Sequence, residues 1–182
     1  MNVGKTFYAK SRREWRAWLA KHHKSMSEIW LIYYKKHSGK PRIPYNDAVD
    51  EALCYGWIDS LLKPIDEFCY AQRYSPRKPT SKLSDMNRER VRRLIKAGRM
   101  TKAGLAAIQH VTKKDTKIPG DITRALKKDA TTWRNFQRFP ASYKRIRVGW
   151  IDAGRRRPEV FKQRLNYFLK MTKQNKRFGM VQ

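Results

Sequence analysis

The chain has 182 residues, 40% of them hydrophobic and 12% aromatic, with 43 Lys and Arg against 15 Asp and Glu, a formal net charge of +28. The apolar content suffices for one continuous core and excludes a wholly disordered chain, although a mean hydropathy of −0.84 lies toward the disordered side of composition space. The charge excludes cationic partners for direct binding and points to phosphate polymers or anionic surfaces.

Ser11-Arg12-Arg13-Glu14 has the spacing of a capping box, and Trp15, Trp18, Leu19 and His22 follow at helical intervals, which predicts an amphipathic first helix. Ile29 to Tyr34 is an unbroken apolar and aromatic run, read as a central strand covered on both faces. His37 to Pro44 is a loop, and Asn46 to Tyr55 a short helix with Ala48, Val49, Ala52 and Leu53 on one face. Asp47, Asp50 and Glu51 are read as stabilising its positive end, and Gly56 stops it. Trp57–Leu62 and Phe68–Tyr74 flank Pro64-Ile65-Asp66-Glu67 as a hairpin, with Trp57, Asp59 and Leu61 on one face.

After a polar loop from Ser75, Ser84 caps a helix to about Ala97 with Val91, Leu94 and Ile95 inward, and a further helix runs from Thr101 to about Val111. Gly98 and Gly104 are read as helix punctuation. Beyond Lys113–Gly120, helices are expected to be capped by Asp121, by Thr131 or Thr132, and by Ser142, and the last starts at Pro158-Glu159 with Phe161, Leu165, Phe168 and Leu169 inward. The expected fold is α+β: a small antiparallel sheet with packed helices and a C-terminal basic helical subdomain. The expected organisation is an N-terminal part over 1–112, a linker over 113–120, the basic helical subdomain over 121–175 and a tail over 176–182.

Cys54 and Cys69 are too few for a disulfide framework, and the N-terminal residues carry no run resembling a signal peptide. A reducing, cytoplasmic setting is the expectation. No stretch approaches the roughly 20 apolar residues that span a bilayer.

Leu53-Cys54-Tyr55-Gly56-Trp57-Ile58-Asp59, then Gln72-Arg73-Tyr74-Ser75-Pro76-Arg77, then Ser81, Leu83, Ser84 and Asn87 resemble the core of the YdeI/OmpD-associated, or bacteriocin-protection, family. The likeness continues through Ile95–Gly104, which looks like the family's helix-turn-helix segment, and through Ile118–Trp150, so that it covers most of residues 8–175. After Trp150-Ile151 the chain departs from the pattern, with Ala153-Gly154-Arg155 where an Ala-Lys-Arg type of tripeptide is expected. The family name implies an association with antibacterial-peptide resistance and with an outer-membrane protein, and implies no reaction. Direct capture of a cationic peptide by a chain of net charge +28 is electrostatically unfavourable, so any such role in envelope stress runs through other partners.

Trp57, Asp59, Arg73, Arg77, Ser81, Ser84 and Asn87 form the most suggestive constellation, because a strand face feeding a polar loop and a helix N-terminus can hold an anion. The same residues also read as structure: Asp59 pairing with an arginine, Ser84 capping its helix, Trp57 in the core. On the first reading the ligand is a small anionic metabolite or nucleotide, bound or turned over there. Nucleophilic catalysis lacks a positioned base, since His22, His23, His37 and His110 are scattered, and Cys54 reads as a buried structural thiol. No metal-ligand spacing or cofactor-binding fingerprint occurs, so neither a metal nor an organic cofactor is predicted.

Residues 92–182 carry 25 Lys and Arg against 5 Asp and Glu, a net +20 of the total. Lys113, Lys114, Lys127, Lys128, Arg134, Arg138, Lys144, Arg145, Arg147, Arg155, Arg156 and Arg157 are interleaved with Trp133, Phe136, Tyr143 and Trp150. Basic residues so interleaved can bind phosphates and stack bases, while the helical spacing of the aromatics equally places them in a core. The leading expectation is a non-enzymatic protein that binds nucleic acid or another polyanion through phosphate. Six to eight such contacts would give a log K against log salt slope of about −5 to −7 on duplex DNA.

Overall fold

Ser11 begins the first helix as its spacing predicts: in the computed structural model, which describes residues 3–78, 80–108 and 118–179, its Oγ accepts from Glu14 N at 3.3 Å. Glu14 Oε2 reaches one residue further back than in a standard capping box and accepts from Lys10 N at 2.9 Å. Helix α1 (Arg12–His22) buries Trp15 and Leu19. Among the described residues there are four strands and eight α-helices, so the α+β class holds. The described residues divide into two compact units, one drawn from 1–82 with 90–112 and the other from 83–89 with 113–182.

The first unit is built on the sheet. Strands β1 (Thr6–Tyr8), β2 (Ile29–Tyr34), β3 (Trp57–Pro64) and β4 (Cys69–Pro76) lie in the order β1-β2-β4-β3. The three expected strands pair antiparallel, β2 with β4 and β4 with β3, but an unexpected fourth, β1, runs parallel to β2, with Phe7 opposite Leu31, so the sheet is mixed. β2 is interior, as its apolar run requires; Ile29, Leu31 and Tyr33 enter the core with Trp15, Leu19, Ala48, Ala52, Trp57 and Tyr74. Asp66 Oδ1 accepts from Phe68 N and Cys69 N, both at 2.7 Å, and so closes the β3–β4 hairpin. The register shifts between Asp59 and Leu62, which ends the alternation begun by Trp57 and Asp59 and leaves Leu61 exposed. Gln72 Nε2 donates to the Ser60 carbonyl within that irregularity at 3.2 Å.

Helix α2 (Tyr45–Cys54) packs against α1 and β3, and the short α4 (Lys102–Ala106) docks on its C-terminal end. Thr101 caps α4 while its N and Oγ1 both donate to the Cys54 carbonyl, at 3.0 and 2.6 Å. Gly104 is no mere punctuation: a Cβ there would stand 2.2 Å from that carbonyl oxygen and 2.7 Å from its carbon. Gly56, at φ +76°, turns the chain out of α2 where a Cβ would fall 2.8 Å from that of Ala107. The rest of the helix expected to reach Val111 lies in 109–117, outside the described residues, as do Lys113, Lys114, His110 and most of the expected linker.

Helix α3 (Asp85–Lys96) buries Arg90, Val91 and Leu94, whereas Ile95, expected inward, is exposed. Its first turn groups with the second unit, which otherwise consists of α5 (Gly120–Lys127), α6 (Ala130–Arg138), α7 (Ala141–Asp152) and α8 (Pro158–Lys173). Their apolar stripes meet in a separate core of Ile122, Leu126, Phe136, Phe139, Tyr143, Val148, Ile151 and Phe168. Among the described residues each unit thus has a buried apolar cluster of its own. Helix starts differ from expectation by a residue or two. Pro119 and Pro140 occupy the N-cap positions of α5 and α7, and Asp129, not a threonine, caps α6 by accepting from Thr132 N at 2.7 Å.

Candidate functional site

The strand-derived residues of the expected anion site each take a partner of their own. Trp57 is buried and its Nε1 donates to the His23 carbonyl at 3.1 Å. Asp59 Oδ2 accepts from Tyr45 Oη at 2.7 Å, and burial together with that carboxylate raises the Tyr45 phenol. Arg73 pairs with Glu28, Nε to Oε2 at 2.7 Å, which holds the Glu28 carboxyl below its usual range. Arg77 Nη2 donates to Ser81 O at 3.0 Å and Ser81 Oγ at 2.9 Å, folding the loop onto itself. Ser84 Oγ accepts from Asn87 N at 3.2 Å and opens α3. Asp85 then occupies the first turn of that helix with Arg88 at 3.0 Å, so a carboxylate already sits at the positive helix end.

Arg77 nevertheless stands out. It is 9% exposed, its Nε is buried without a partner, and no carboxylate among the described residues neutralises it. Burial accordingly lowers its pKa.

A denser charged cluster escaped the sequence reading. Asp50 and Glu51 are buried in α2, and arginines from α1, from α3 and from beyond it converge on them. Glu51 Oε1 accepts from Arg12 Nε and Arg99 Nη2, each at 2.5 Å, and Oε2 from Arg16 Nη1 at 2.6 Å. Asp50 Oδ1 accepts from Arg90 Nη1 at 2.9 Å and Oδ2 from Arg93 Nη2 at 2.6 Å, while Asp47 meets Arg12 at 3.0 Å. These carboxylates anchor helices instead of merely complementing a helix dipole. The available signals were the i, i+4 spacing of Arg12 and Arg16 and two adjacent acids between Val49 and Ala52 on an apolar helix.

The basic residues of the second unit sort into two groups. Arg145 forms a two-point pair with Glu89 at 2.6 and 2.8 Å, Arg155 holds both Asp121 and Asp152, and Arg147 is buried. Lys127, Lys128, Arg134, Arg138, Arg156 and Arg157 are exposed and make no ion pair among the described residues, and Lys144 donates only to the Gln137 carbonyl at 3.1 Å. The aromatics between them belong to the interior: Phe136 and Tyr143 are buried, and Trp133 and Trp150 pack on the core. Base stacking on Phe136 and Tyr143 is thereby removed from the expected interface.

Cys54 and Cys69 are buried free thiols whose pKa values burial raises, the opposite of nucleophile activation. His23 Nδ1 and His37 Nε2 lie 2.9 Å from the carbonyls of Leu19 and Glu67. Among the described residues no cluster of His, Cys, Asp or Glu could hold a metal ion, and no helix is long and apolar enough to cross a membrane.

Residues 7–107, the stretch that holds the sheet, the arginine cluster and Arg77, match the family described as a domain of unknown function, DUF8412. The chain belongs to the DUF8412 family. Residues 115–175 match the family described as "Bacteriocin-protection, YdeI or OmpD-Associated". The YdeI/OmpD-associated resemblance is thus shown over the basic helices, while the residues from Leu53 to Asn87 that first carried it lie within the DUF8412 match. No curated protein and no solved structure matches the chain.

Proposed function

We propose that this DUF8412 protein binds a phosphate polymer, nucleic acid first among them, through the exposed cations of its YdeI/OmpD-associated segment. The observation that carries this reading is that Lys127, Lys128, Arg134, Arg138, Arg156 and Arg157 remain exposed and unneutralised among the described residues while neighbouring arginines are consumed in ion pairs. Arg134 and Arg138, four residues apart on α6, share one helix face and can straddle successive phosphates. With Phe136 and Tyr143 buried and the free cations spread over several helices, the binding is electrostatic and weakly selective for sequence. With Arg145, Arg147 and Arg155 set aside, four to six phosphate contacts give an expected slope of log K against log salt of about −4 to −5. The test is a salt series on duplex DNA, single-stranded DNA, RNA and heparin. Arg134→Glu with Arg138→Glu should weaken binding and reduce the slope by about two. A flat salt response, or an unchanged slope in the double variant, removes the reading.

A second reading rests on Arg77, buried without a carboxylate beside Ser81. A small phosphate or carboxylate there would supply the missing countercharge. Thermal stabilisation by inorganic phosphate or adenosine monophosphate that disappears in Arg77→Ala supports it, and equal stabilisation of the variant excludes it.

A further inference from the structure

The second unit contains another buried guanidinium without a countercharge. Arg147 on α7 is 6% exposed, its Nε has no hydrogen-bond partner, and it makes no ion pair among the described residues. Its guanidinium carbon lies 4.7 Å from the ring centre of Phe178, 5.7 Å from Tyr143 and 5.9 Å from Trp150. Ring faces offset only part of the cost of dehydrating a cation, and burial lowers the Arg147 pKa.

Among the described residues, Arg147 lines a smaller and a larger cavity. The smaller, about 290 Å³, is lined by Asp85, whose carboxylate repels an anion. The larger, about 480 Å³, is lined by Arg147, Arg164, Trp150, Gln163, Tyr167 and Phe178 among others, and by no carboxylate among the described residues. Arg164 lies 4.9 Å from the Trp150 ring centre and donates Nη1 to the Trp150 carbonyl at 2.6 Å, which fixes a second cation on the same wall. Two guanidiniums, an amide, a phenol and flat aromatic faces in a space of small-molecule size are complementary to a negative head on a planar apolar body.

We infer that the cavity between α7 and α8, built on Arg147, Arg164 and Trp150, binds a small organic oxyanion, a carboxylate or phosphate ester carrying an aromatic body. The head group takes the forked donors of Arg147, and the ring lies against Trp150 and Tyr167. This site shares no residue with the proposed phosphate-polymer surface or with the Arg77 reading, and it uses a residue that burial removes from the polymer interface.

The test uses the full chain with phenyl phosphate and benzoate as probes, read by tryptophan fluorescence and calorimetry. Benzyl alcohol, benzylamine and inorganic phosphate are the controls. At least one aryl oxyanion should bind saturably, the neutral and cationic analogues should not, and inorganic phosphate should bind about tenfold or more weakly by comparison. Arg147→Met should weaken the aryl oxyanion about tenfold to hundredfold, and Arg164→Gln and the exposed Tyr167→Ala about three- to tenfold. If Arg147→Met does not fold, the latter two variants decide. Absence of saturable binding by both aryl oxyanions, equal binding by the variants, or inorganic phosphate binding as tightly as phenyl phosphate overturns the inference. Duplex DNA binding by Tyr167→Ala should equal that of the unmodified chain, which keeps failure here distinct from failure of the polyanion reading.

Discussion

Glu51 has no exposed surface, yet three arginines donate to its two oxygens. Replacing it by Gln would remove the countercharge these cations share, leaving Arg12 to Asp47 and Arg16 and Arg99 without a carboxylate partner among the described residues. Removing one partner of a fully buried pair costs about 3–5 kcal/mol. Here the arginine side chains are 29–38% exposed and regain water, so about 1–3 kcal/mol is expected for Glu51→Gln, measured by denaturant unfolding. Gly104→Ala should cost a similar ~1–3 kcal/mol, because backbone atoms of Cys54 rather than a yielding side chain occupy the space of the new methyl group. An unchanged unfolding midpoint in that variant would show that α4 can retreat without loss. Both features were hidden in the sequence for one reason: adjacent acids and a lone glycine acquire their meaning from segments about 35 to 50 residues away in the chain. Trp57 and Ser84 were legible because a strand start and a helix cap are local events.

At the scale of elements, periodicity located most of the structure. β2 and α1 follow their apolar patterns, whereas β1, only three residues long, offers too short a pattern and obtains its parallel partner through tertiary pairing. Cap assignment failed at α6 because Asp129, Thr131 and Thr132 can all cap, and geometry selected Asp129. That aspartate accepts from the Thr132 amide and also meets Lys173 at 3.0 Å, and its pKa falls to about 2, the amide being the main cause. A depressed carboxyl contributes stability that is present above its unfolded value of about 3.9 and is lost as pH falls through the folded value. The thermal midpoint should therefore drop between about pH 4 and pH 2, with Glu28 and Asp121, also depressed, adding to the slope. Asp129→Asn should lower the midpoint at neutral pH and flatten this acid limb; an acid limb of unchanged steepness would place its origin elsewhere.

For the molecule as a whole, a net charge of +28 means that like charges repel throughout the folded chain. Raising monovalent salt from low ionic strength should increase the thermal midpoint as repulsion is screened, and heparin should increase it further at equal ionic strength. A midpoint that falls with salt would mean that the ion pairs around Asp50 and Glu51 outweigh the repulsion. Overall charge and fold class were legible at once, since both are sums over composition and pattern. Which cations remain free was not, because Arg145 finds Glu89 only when residues 56 positions apart are brought together. That pairing also bears on how the chain acquires its shape during synthesis. Leu83–Glu89 groups with residues beyond 113, so a nascent chain exposes this segment well before its partners leave the ribosome. The helices of the second unit consequently cannot reach their final form as a trailing module in isolation. The early segment must wait for them, so Glu89 stays without Arg145 until a residue 56 positions later has been added.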